Sequence, residues 1–258
     1  MGAGSGVRTH VKALVAILAC AVASGVLAVA ALAAEFVGTD QGEPLRGTAE
    51  PDQIYAEGGD DTVEGLEAND YLEAGSGSDA VDAGPGVDLV IGGTGADRIL
   101  AGGGNDVVYA GADDDEVVGG LGEDHLFGQI GNDLIYGGPA GDRIYAGAGN
   151  DSVYGGSGPD RITSEGNSTL LGGGGRDVIA ARGDKVEVDA GAGADRVRTA
   201  GGKDELTGGS GSDVLTSGGG RDLIEAADGE RDVVDCGKDR DRVRADAFDR
   251  LEGCEIRL

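Results

Sequence analysis

The feature that most constrains the fold is an aspartate that recurs every nine residues. Thirteen of them follow without a slip: Asp52, Asp61, Asp70, Asp79, Asp88, Asp97, Asp106, Asp115, Asp124, Asp133, Asp142, Asp151 and Asp160. Two residues after each comes an aliphatic side chain: Ile54, Val63, Leu72, Val81, Val90, Ile99, Val108, Val117, Leu126, Ile135, Ile144, Val153 and Ile162. Self-similarity at a fixed short period is typical of stacked repeats that bury a common core.

Each repeat reads as one turn and one short strand. The unit is G-G-x-G-x-D-x-U-x with U aliphatic, as in Gly92-Gly93-Thr94-Gly95-Ala96-Asp97. Glycines disfavour helix and permit tight turns, so positions one to six predict a turn. The x-U-x segment predicts a three-residue strand with one inward side chain. Because such a strand is unstable alone, two repeats should form an 18-residue coil, with coils pairing in parallel about 4.8 Å apart.

Composition points to a cation as the partner. The 258 residues include 53 glycines and only five prolines, which excludes a collagen helix. The formal charge of −28 disfavours nucleic acid and anionic membrane surfaces. The 32 aspartates outnumber the 16 glutamates, which favours turns and sites with oxygen ligands, such as those for calcium.

From Gly47 to Asp249 the pattern resembles the RTX, or haemolysin-type, calcium-binding repeat family, which implies an all-β parallel β-roll. In that family turn carbonyls and aspartates 18 residues apart hold several Ca²⁺ ions between coils. Asp79 would then face Asp97, Asp88 would face Asp106, and Asp97 would face Asp115. The predicted metal ligands are Asp61, Asp79, Asp88, Asp97, Asp106, Asp115, Asp124, Asp133, Asp142, Asp151, Asp160, Asp177, Asp195, Asp204, Asp213 and Asp222. The alternative is that each aspartate caps its own turn by binding local amides.

Departures from the repeat predict weaker sites. Asp113 and Ala140 replace the glycine two residues before an aspartate. Between residues 164 and 190 the frame breaks: Thr169 takes the aspartate position, Asp177 comes one residue early, and metal binding should lapse. The following unit offers Asp184 or Val186. Regular repeats resume at Asp195, Asp204, Asp213 and Asp222, with inward Val197, Leu206, Leu215 and Ile224.

The chain divides into a predicted signal peptide (1–33), a linker (34–46), the calcium-binding roll (47–227) and a C-terminal cap (228–258). Arg8 and Lys12 precede an apolar run that ends in small residues, which is typical of a cleaved secretory signal. A retained membrane anchor and a lipoprotein site at Cys20 are the alternatives. Secretion from a bacterium into an extracellular, oxidising compartment follows, without membrane insertion after cleavage.

The cap loses the repeated glycine pattern and gains Arg-Asp pairs, which discourage further strand pairing. Cys236 and Cys254 enclose it and should form a disulfide in an exported protein, the alternative being two free thiols.

Catalytic motifs are missing from the repeats. His125 is the only histidine after the signal segment, on an outward strand position, and no nucleophile elbow or zinc helix accompanies it. The chain is therefore predicted to be a non-catalytic calcium binder. Alternatives are a calcium-stabilised surface or matrix module that binds envelope polysaccharide or protein, and a polysaccharide-acting enzyme. Tyr109, Phe127 and Tyr145, and separately Tyr136 and Tyr154, should form aromatic ladders.

Overall fold

The computed structural model describes residues 33–257, which form a solenoid of two long parallel sheets. Each sheet contains 13 strands, and no helix occurs in the described residues. The chain alternates between the sheets, so strands adjacent in one sheet are separated by one strand of the other. The predicted all-β parallel solenoid is confirmed.

The first sheet consists of strands that follow every second repeat turn. They are β1 (Ala34–Thr39), β3 (Asp52–Glu57), β5 (Tyr71–Ser76), β7 (Leu89–Thr94), β9 (Val107–Ala112), β11 (His125–Ile130), β13 (Arg143–Ala148), β15 (Arg161–Ser164), β17 (Val178–Ala181), β19 (Arg196–Arg198), β22 (Val214–Thr216), β25 (Val233–Asp235) and β27 (Arg250–Glu252).

The second sheet takes the alternate strands. They are β2 (Pro44–Arg46), β4 (Thr62–Glu64), β6 (Ala80–Asp82), β8 (Arg98–Gly103), β10 (Glu116–Leu121), β12 (Leu134–Pro139), β14 (Ser152–Ser157), β16 (Thr169–Gly174), β18 (Glu187–Ala192), β21 (Glu205–Thr207), β24 (Leu223–Glu225), β26 (Arg242–Arg244) and β28 (Ile256–Arg257). A small sheet pairs β20 (Gly201–Gly202) with β23 (Gly219–Gly220).

Up to β24 the register between neighbouring strands equals the predicted coil of 18 residues except near Ser164, whereas the last strands pair at other spacings, such as Leu215 with Val234. Val108 pairs with Leu126, and Leu126 pairs with Ile144. A one-residue deletion shortens the coil around Ser164, where the register shifts. Thr169 consequently pairs with Ser152, the residue after Asp151, so the prediction that Thr169 takes the aspartate position is wrong. Ser168 occupies that position.

Strands in the middle of the solenoid are longer than predicted. From β7 to β14 each has six residues and includes the first three positions of the next repeat, which the glycine pattern predicts as turn. The turn proper shrinks to about three residues that end at the aspartate. Glycine permits this path: Gly93 has a φ of 118°, and a Cβ there would collide with the carbonyl oxygen of Gly75 in the preceding coil.

The core is a thin layer between the two sheets. All thirteen predicted aliphatic positions from Ile54 to Ile162 are buried, as are Val197, Leu206, Leu215 and Ile224. Alanines at the first position of several repeats, such as Ala101 and Ala110, complete this layer. Because every coil adds only two aliphatic side chains, each coil depends on its neighbours for stability.

Both ends continue the coil pattern. The segment 34–46, predicted as a linker, carries β1 and β2, which pair with β3 and β4. The sheets also run on through the predicted cap to β27 and β28. The Cys236–Cys254 disulfide is confirmed, with a Cα–Cα distance of 5.2 Å. No helix capable of crossing a membrane occurs in residues 33–257, and the predicted signal peptide falls almost wholly outside that range.

Candidate metal centre

The repeat aspartates stack into two columns, one along the turns that lead into each sheet. Column one consists of Asp52, Asp70, Asp88, Asp106, Asp124, Asp142, Asp160, Asp177, Asp195, Asp213, Asp232 and Asp249. Column two consists of Asp61, Asp79, Asp97, Asp115, Asp133, Asp151, Ser168, Val186, Asp204, Asp222 and Asp241. The one-coil spacing predicted for these residues is therefore present in the fold.

One oxygen of each carboxylate binds the preceding coil. The Asp79 amide donates to Oδ1 of Asp97 at 2.9 Å, and the Asp97 amide donates to Oδ1 of Asp115 at 2.8 Å. The Asp88 amide donates in the same way to Asp106 at 2.8 Å. These bonds join coils rather than cap local turns, so the local-capping alternative does not describe this oxygen.

The second carboxylate oxygen is buried and has no hydrogen-bond partner in most members of the columns. The residues with such an Oδ2 are Asp61, Asp70, Asp79, Asp88, Asp97, Asp106, Asp115, Asp124, Asp133, Asp142, Asp160, Asp177, Asp195, Asp204, Asp213, Asp222, Asp232 and Asp241. A buried polar atom without a partner is costly, and a buried charge is more so. Repetition of this arrangement requires a cation or protons inside the turns.

The unpartnered Oδ2 atoms lie near backbone carbonyl oxygens of the next coil. A Cβ added to Gly155 would lie 2.6 Å from Asp160 Oδ2 and 2.6 Å from the Gly172 carbonyl oxygen of the next coil. A Cβ on Gly119 would lie 2.6 Å from Asp124 Oδ2 and 2.7 Å from the Gly137 carbonyl oxygen. The carboxylate and the carbonyl are close enough for one ion with Ca²⁺–O distances of 2.3–2.6 Å to contact both.

The oxygen atoms available as metal ligands include backbone carbonyls as well as carboxylates. No group of three or more His, Cys, Asp or Glu side chains positioned to hold a metal occurs within the described part of the chain. An ion in the columns would therefore take part of its ligands from backbone carbonyls such as those of Gly172 and Gly137. Ca²⁺ accepts six to eight oxygens, including backbone carbonyls, in flexible geometry.

Burial disfavours the charged form of these carboxyl groups. Desolvation raises the pKa of Asp97, Asp106, Asp115 and Asp142 to about 7, and the nearest column neighbour adds like-charge repulsion. The hydrogen bond from a backbone amide to Oδ1 acts in the opposite direction and lowers the pKa of each group. Without cations, these four carboxyl groups would hold protons up to about neutral pH.

The frame break removes aspartates from column two but not from column one. Ser168 replaces an aspartate, and its hydroxyl donates to Asp151 Oδ2 at 3.2 Å, so that oxygen is not left without a partner. Val186 takes the next position, while Asp184 lies exposed outside the column. Column one continues through the same coils: the Asp160 amide donates to Asp177 Oδ1 at 2.8 Å.

The structure adds ligand candidates that sequence reasoning left out. Asp70, Asp232 and Asp241 have the same buried, unpartnered Oδ2 as the predicted residues. Asp232 and Asp241 were omitted because their turns lack the glycine pattern, although each is followed two residues later by an aliphatic residue, Val234 and Val243. That aspartate-aliphatic spacing was the available signal. Asp52 also joins column one, but its Oδ2 accepts a bond from Thr48.

The sheet faces carry the predicted aromatic ladders. Ring centroids are 4.7 Å apart for Tyr109 and Phe127, 5.0 Å for Phe127 and Tyr145, and 4.8 Å for Tyr136 and Tyr154. All three pairs are stacked. His125 lies outward on β11, with its Nε2 2.9 Å from an Arg143 guanidinium nitrogen.

Paired columns of buried carboxylates in a parallel solenoid define a calcium-binding repeat protein. The family model for the RTX calcium-binding nonapeptide repeat matches residues 37–72, 57–90, 91–126, 127–162, 162–185 and 189–224. The chain belongs to this family.

Comparison with solved structures gives matches of low sequence identity. A structure described as a hyperactive, Ca²⁺-dependent, β-helical antifreeze protein from an Antarctic bacterium is 20% identical to this chain, with a TM-score of 0.39. The match covers 83% of this chain and 80% of that one. No curated protein matched the sequence.

Proposed function

We propose that this chain is an exported, non-catalytic calcium-binding protein whose solenoid folds when several Ca²⁺ ions enter between stacked turns. The observation that carries the proposal is the row of buried Oδ2 atoms without partners in both columns. At neutral pH these carboxylates would repel each other and resist burial, and a divalent cation between coils removes both penalties.

The residues that would hold calcium are the column aspartates together with backbone carbonyls of adjacent coils. Asp160 Oδ2 and the Gly172 carbonyl oxygen illustrate the pairing. The ion supplies positive charge and links one coil to the next. The protein supplies the register, because each Oδ1 is already fixed by an amide of the preceding coil.

Support for a non-catalytic role comes from how the acidic groups are used. Carboxylates bound to calcium are poor proton donors, and the columns are buried rather than arranged around a substrate cleft. His125 faces outward and contacts Arg143 rather than a nucleophile.

Support for export comes from the disulfide and the predicted signal peptide. Disulfides persist in oxidising compartments. Extracellular calcium sites typically have dissociation constants of about 10⁻⁴–10⁻³ M, which suits a protein that stays unfolded until it leaves the cell. Mass spectrometry of the secreted protein should find its N-terminus at Ala34, whereas retention of residues 1–33 would support the anchor.

Circular dichroism with and without calcium tests the proposal directly. In chelator the chain should be largely disordered, and millimolar Ca²⁺ should restore β structure. Mg²⁺ at the same concentration should restore much less, because it dehydrates reluctantly and requires stricter geometry. An identical folded spectrum in chelator and in calcium at neutral pH would overturn the proposal.

A second role, as a calcium-stabilised surface or matrix module, is favoured by the exposed aromatic ladders. Tyr145 and Tyr154 are each 38% exposed on opposite sheets. Exposed aromatic surface commonly marks a partner site. Pull-down with envelope polysaccharide in the presence and absence of calcium would distinguish this role from simple calcium binding.

A further inference from the structure

Positive charge is concentrated at one end of this acidic protein. Beyond residue 33 the chain has 18 lysines and arginines, and 14 of them follow residue 175. The N-terminal coils have almost no cations to balance their carboxylates. The distribution of charge therefore differs between the two ends of the same solenoid.

Four of these cations form a ladder along column two. Lys185, Lys203, Arg221 and Arg240 each directly precede a column-two residue, and the column places them one coil apart. Parallel strands are spaced by about 4.8 Å, which sets the rise between successive members of the ladder. All four side chains are exposed. None lies within 4.0 Å of a carboxylate among the ion pairs of the described residues.

A groove of about 700 Å³ follows the ladder. Arg242 adds a fifth cation to its lining, while Glu187 and Glu205 are its exposed acids. The Asp204 and Asp222 carboxylates also line it but belong to the buried column. Leu223 and Ile256 give the groove an apolar strip beside the cations. The groove is thus cationic at its surface and partly apolar, unlike the rest of this acidic molecule.

The spacing of the cations indicates the kind of anion that fits. Each strand of duplex DNA carries one charge per about 3.4 Å of helix axis, which is denser than one cation per coil. An extended polysaccharide with one carboxylate per sugar has charges separated by the length of a pyranose unit, which is comparable with the coil rise. Its sugar rings also present C–H surfaces that suit the apolar strip. The protein's overall charge of −28 further disfavours nucleic acid.

We propose that the groove beside Lys185, Lys203, Arg221 and Arg240 binds a linear acidic polysaccharide with one carboxylate per sugar unit. The chain lies along the solenoid axis, with successive carboxylates at successive cations. Binding requires the calcium-folded solenoid of the proposed function, because only coil stacking brings these four residues together. It does not require the aromatic ladders on the sheet faces.

The test is calorimetric titration of the intact protein with a size-defined oligogalacturonate at constant saturating calcium. The variant carries Lys185→Gln, Lys203→Gln, Arg221→Gln and Arg240→Gln. The control carries Arg176→Gln, Arg182→Gln, Arg196→Gln and Arg198→Gln, which removes the same charge from the same end of the molecule but outside the groove. The groove variant should bind about 16-fold more weakly, at roughly a twofold loss for each of the four exposed contacts, and the control should lose far less. Added salt should weaken wild-type binding.

Circular dichroism of each variant in calcium keeps the two proposals distinguishable. Failure of the wild-type chain to fold in calcium would contradict the proposed function. A folded wild-type chain that does not bind oligogalacturonate would overturn this inference alone. Equal losses in the two variants, equal affinity for neutral dextran, or tighter binding of a single-stranded oligonucleotide would also overturn it. A dimer that forms in sedimentation analysis only when the four ladder cations are present, and that does not bind oligogalacturonate, would also overturn the inference. In that case a second copy of the chain would occupy the groove.

Discussion

The two aspartate columns share one backbone architecture but differ in continuity. Column one has a carboxylate in every coil from Asp52 to Asp249. Column two is interrupted by Ser168 and Val186, which divide it into segments ending at Asp151 and starting at Asp204. Strand pairing continues through the interruption, since Leu170 still pairs with Val188. The aliphatic core and the strand register therefore do not require a carboxylate in every turn.

The interruption also shows what replaces an ion. At Ser168 a hydroxyl satisfies Asp151 Oδ2, and at Val186 an apolar side chain leaves no charge to neutralise. The Val186 amide still donates to Asp204 Oδ1 at 3.0 Å, so the amide half of the pattern survives. The hydrogen bond from the backbone amide to Oδ1 maintains the register between coils. The Oδ2 atom without a partner is the part of the repeat suited to a cation.

The largest expected effect comes from a change in pH, which alters the protonation of the carboxyl groups in both columns at once. In chelator, acidification from pH 8 to pH 4 should restore β structure. The pKa of Asp106 is raised by burial to about 7 in the fold, against about 4 in an unfolded chain. A raised pKa means that the folded state binds more protons, so this contribution to stability is fully present below about pH 4 and is lost as pH rises from about 4 to about 7.

Circular dichroism of the chelated protein across pH measures this effect. A chain as disordered at pH 4 as at pH 8 would show that carboxylate charge is not what prevents the metal-free columns from folding. Saturating calcium should remove most of the pH dependence above pH 7, because the ion replaces the protons.

The next largest effect compares single substitutions in the two columns. Asp160 lies between two aspartates, Asp142 and Asp177, whereas Asp151 lies between Asp133 and Ser168. If each ion lies between adjacent column aspartates, Asp160→Asn affects two sites and Asp151→Asn affects one. Calcium stoichiometry from calorimetric titration should fall by about two and about one, respectively.

Two further variants anchor this comparison. Asp97→Ala, within an intact run of column two, should behave like Asp160→Asn. Asp184→Ala should leave the stoichiometry unchanged, because Asp184 is exposed and outside both columns. A loss at Asp184 equal to that at Asp97 would contradict the column assignment.

The sequence was sufficient for the repeat period, the inward residues and most of the column members, because these depend on aspartate and aliphatic positions alone. It could not locate the deletion near Ser164, since Ser168 and Thr169 are both small polar residues and only strand pairing distinguishes them. It also underestimated the length of the strands. Glycines at positions one and two are compatible with both turn and extended backbone, and stacking between coils selects the extended form.

The third prediction concerns a variant in which the interruption of column two is filled with carboxylates. Ser168→Asp with Val186→Asp should give column two a carboxylate in every coil and add sites between Asp151 and Asp204. Calcium stoichiometry should rise, and the calcium concentration for half-folding should fall. In chelator the variant should be less stable than the wild type, because Val186 is buried and a carboxylate there adds an unpaired buried charge. Unchanged stoichiometry with retained folding would show that turn carbonyls at these coils are not arranged for an ion.

The smallest expected effect is at the end of column two, where a covalent bond joins the last coils. Cys236 precedes Asp241, the last aspartate of the column, and its partner Cys254 precedes Glu255, whose carboxylate accepts a bond from the Asp241 amide. The disulfide links residues 18 apart, and closing a loop of this length is expected to contribute roughly 3 kcal/mol by restricting the unfolded chain.

In a solenoid a stable terminal coil is a template from which ordering spreads. Deleting residues 228–258, the predicted cap, should raise the calcium concentration needed for folding, and Cys236→Ser with Cys254→Ser should raise it less. Circular dichroism at increasing calcium measures both midpoints, with Asp184→Ala as the unaffected reference. If the truncated chain folds at the wild-type calcium concentration, ordering starts elsewhere. The uninterrupted column one would then be the better candidate for the template, since it spans every coil without needing the disulfide.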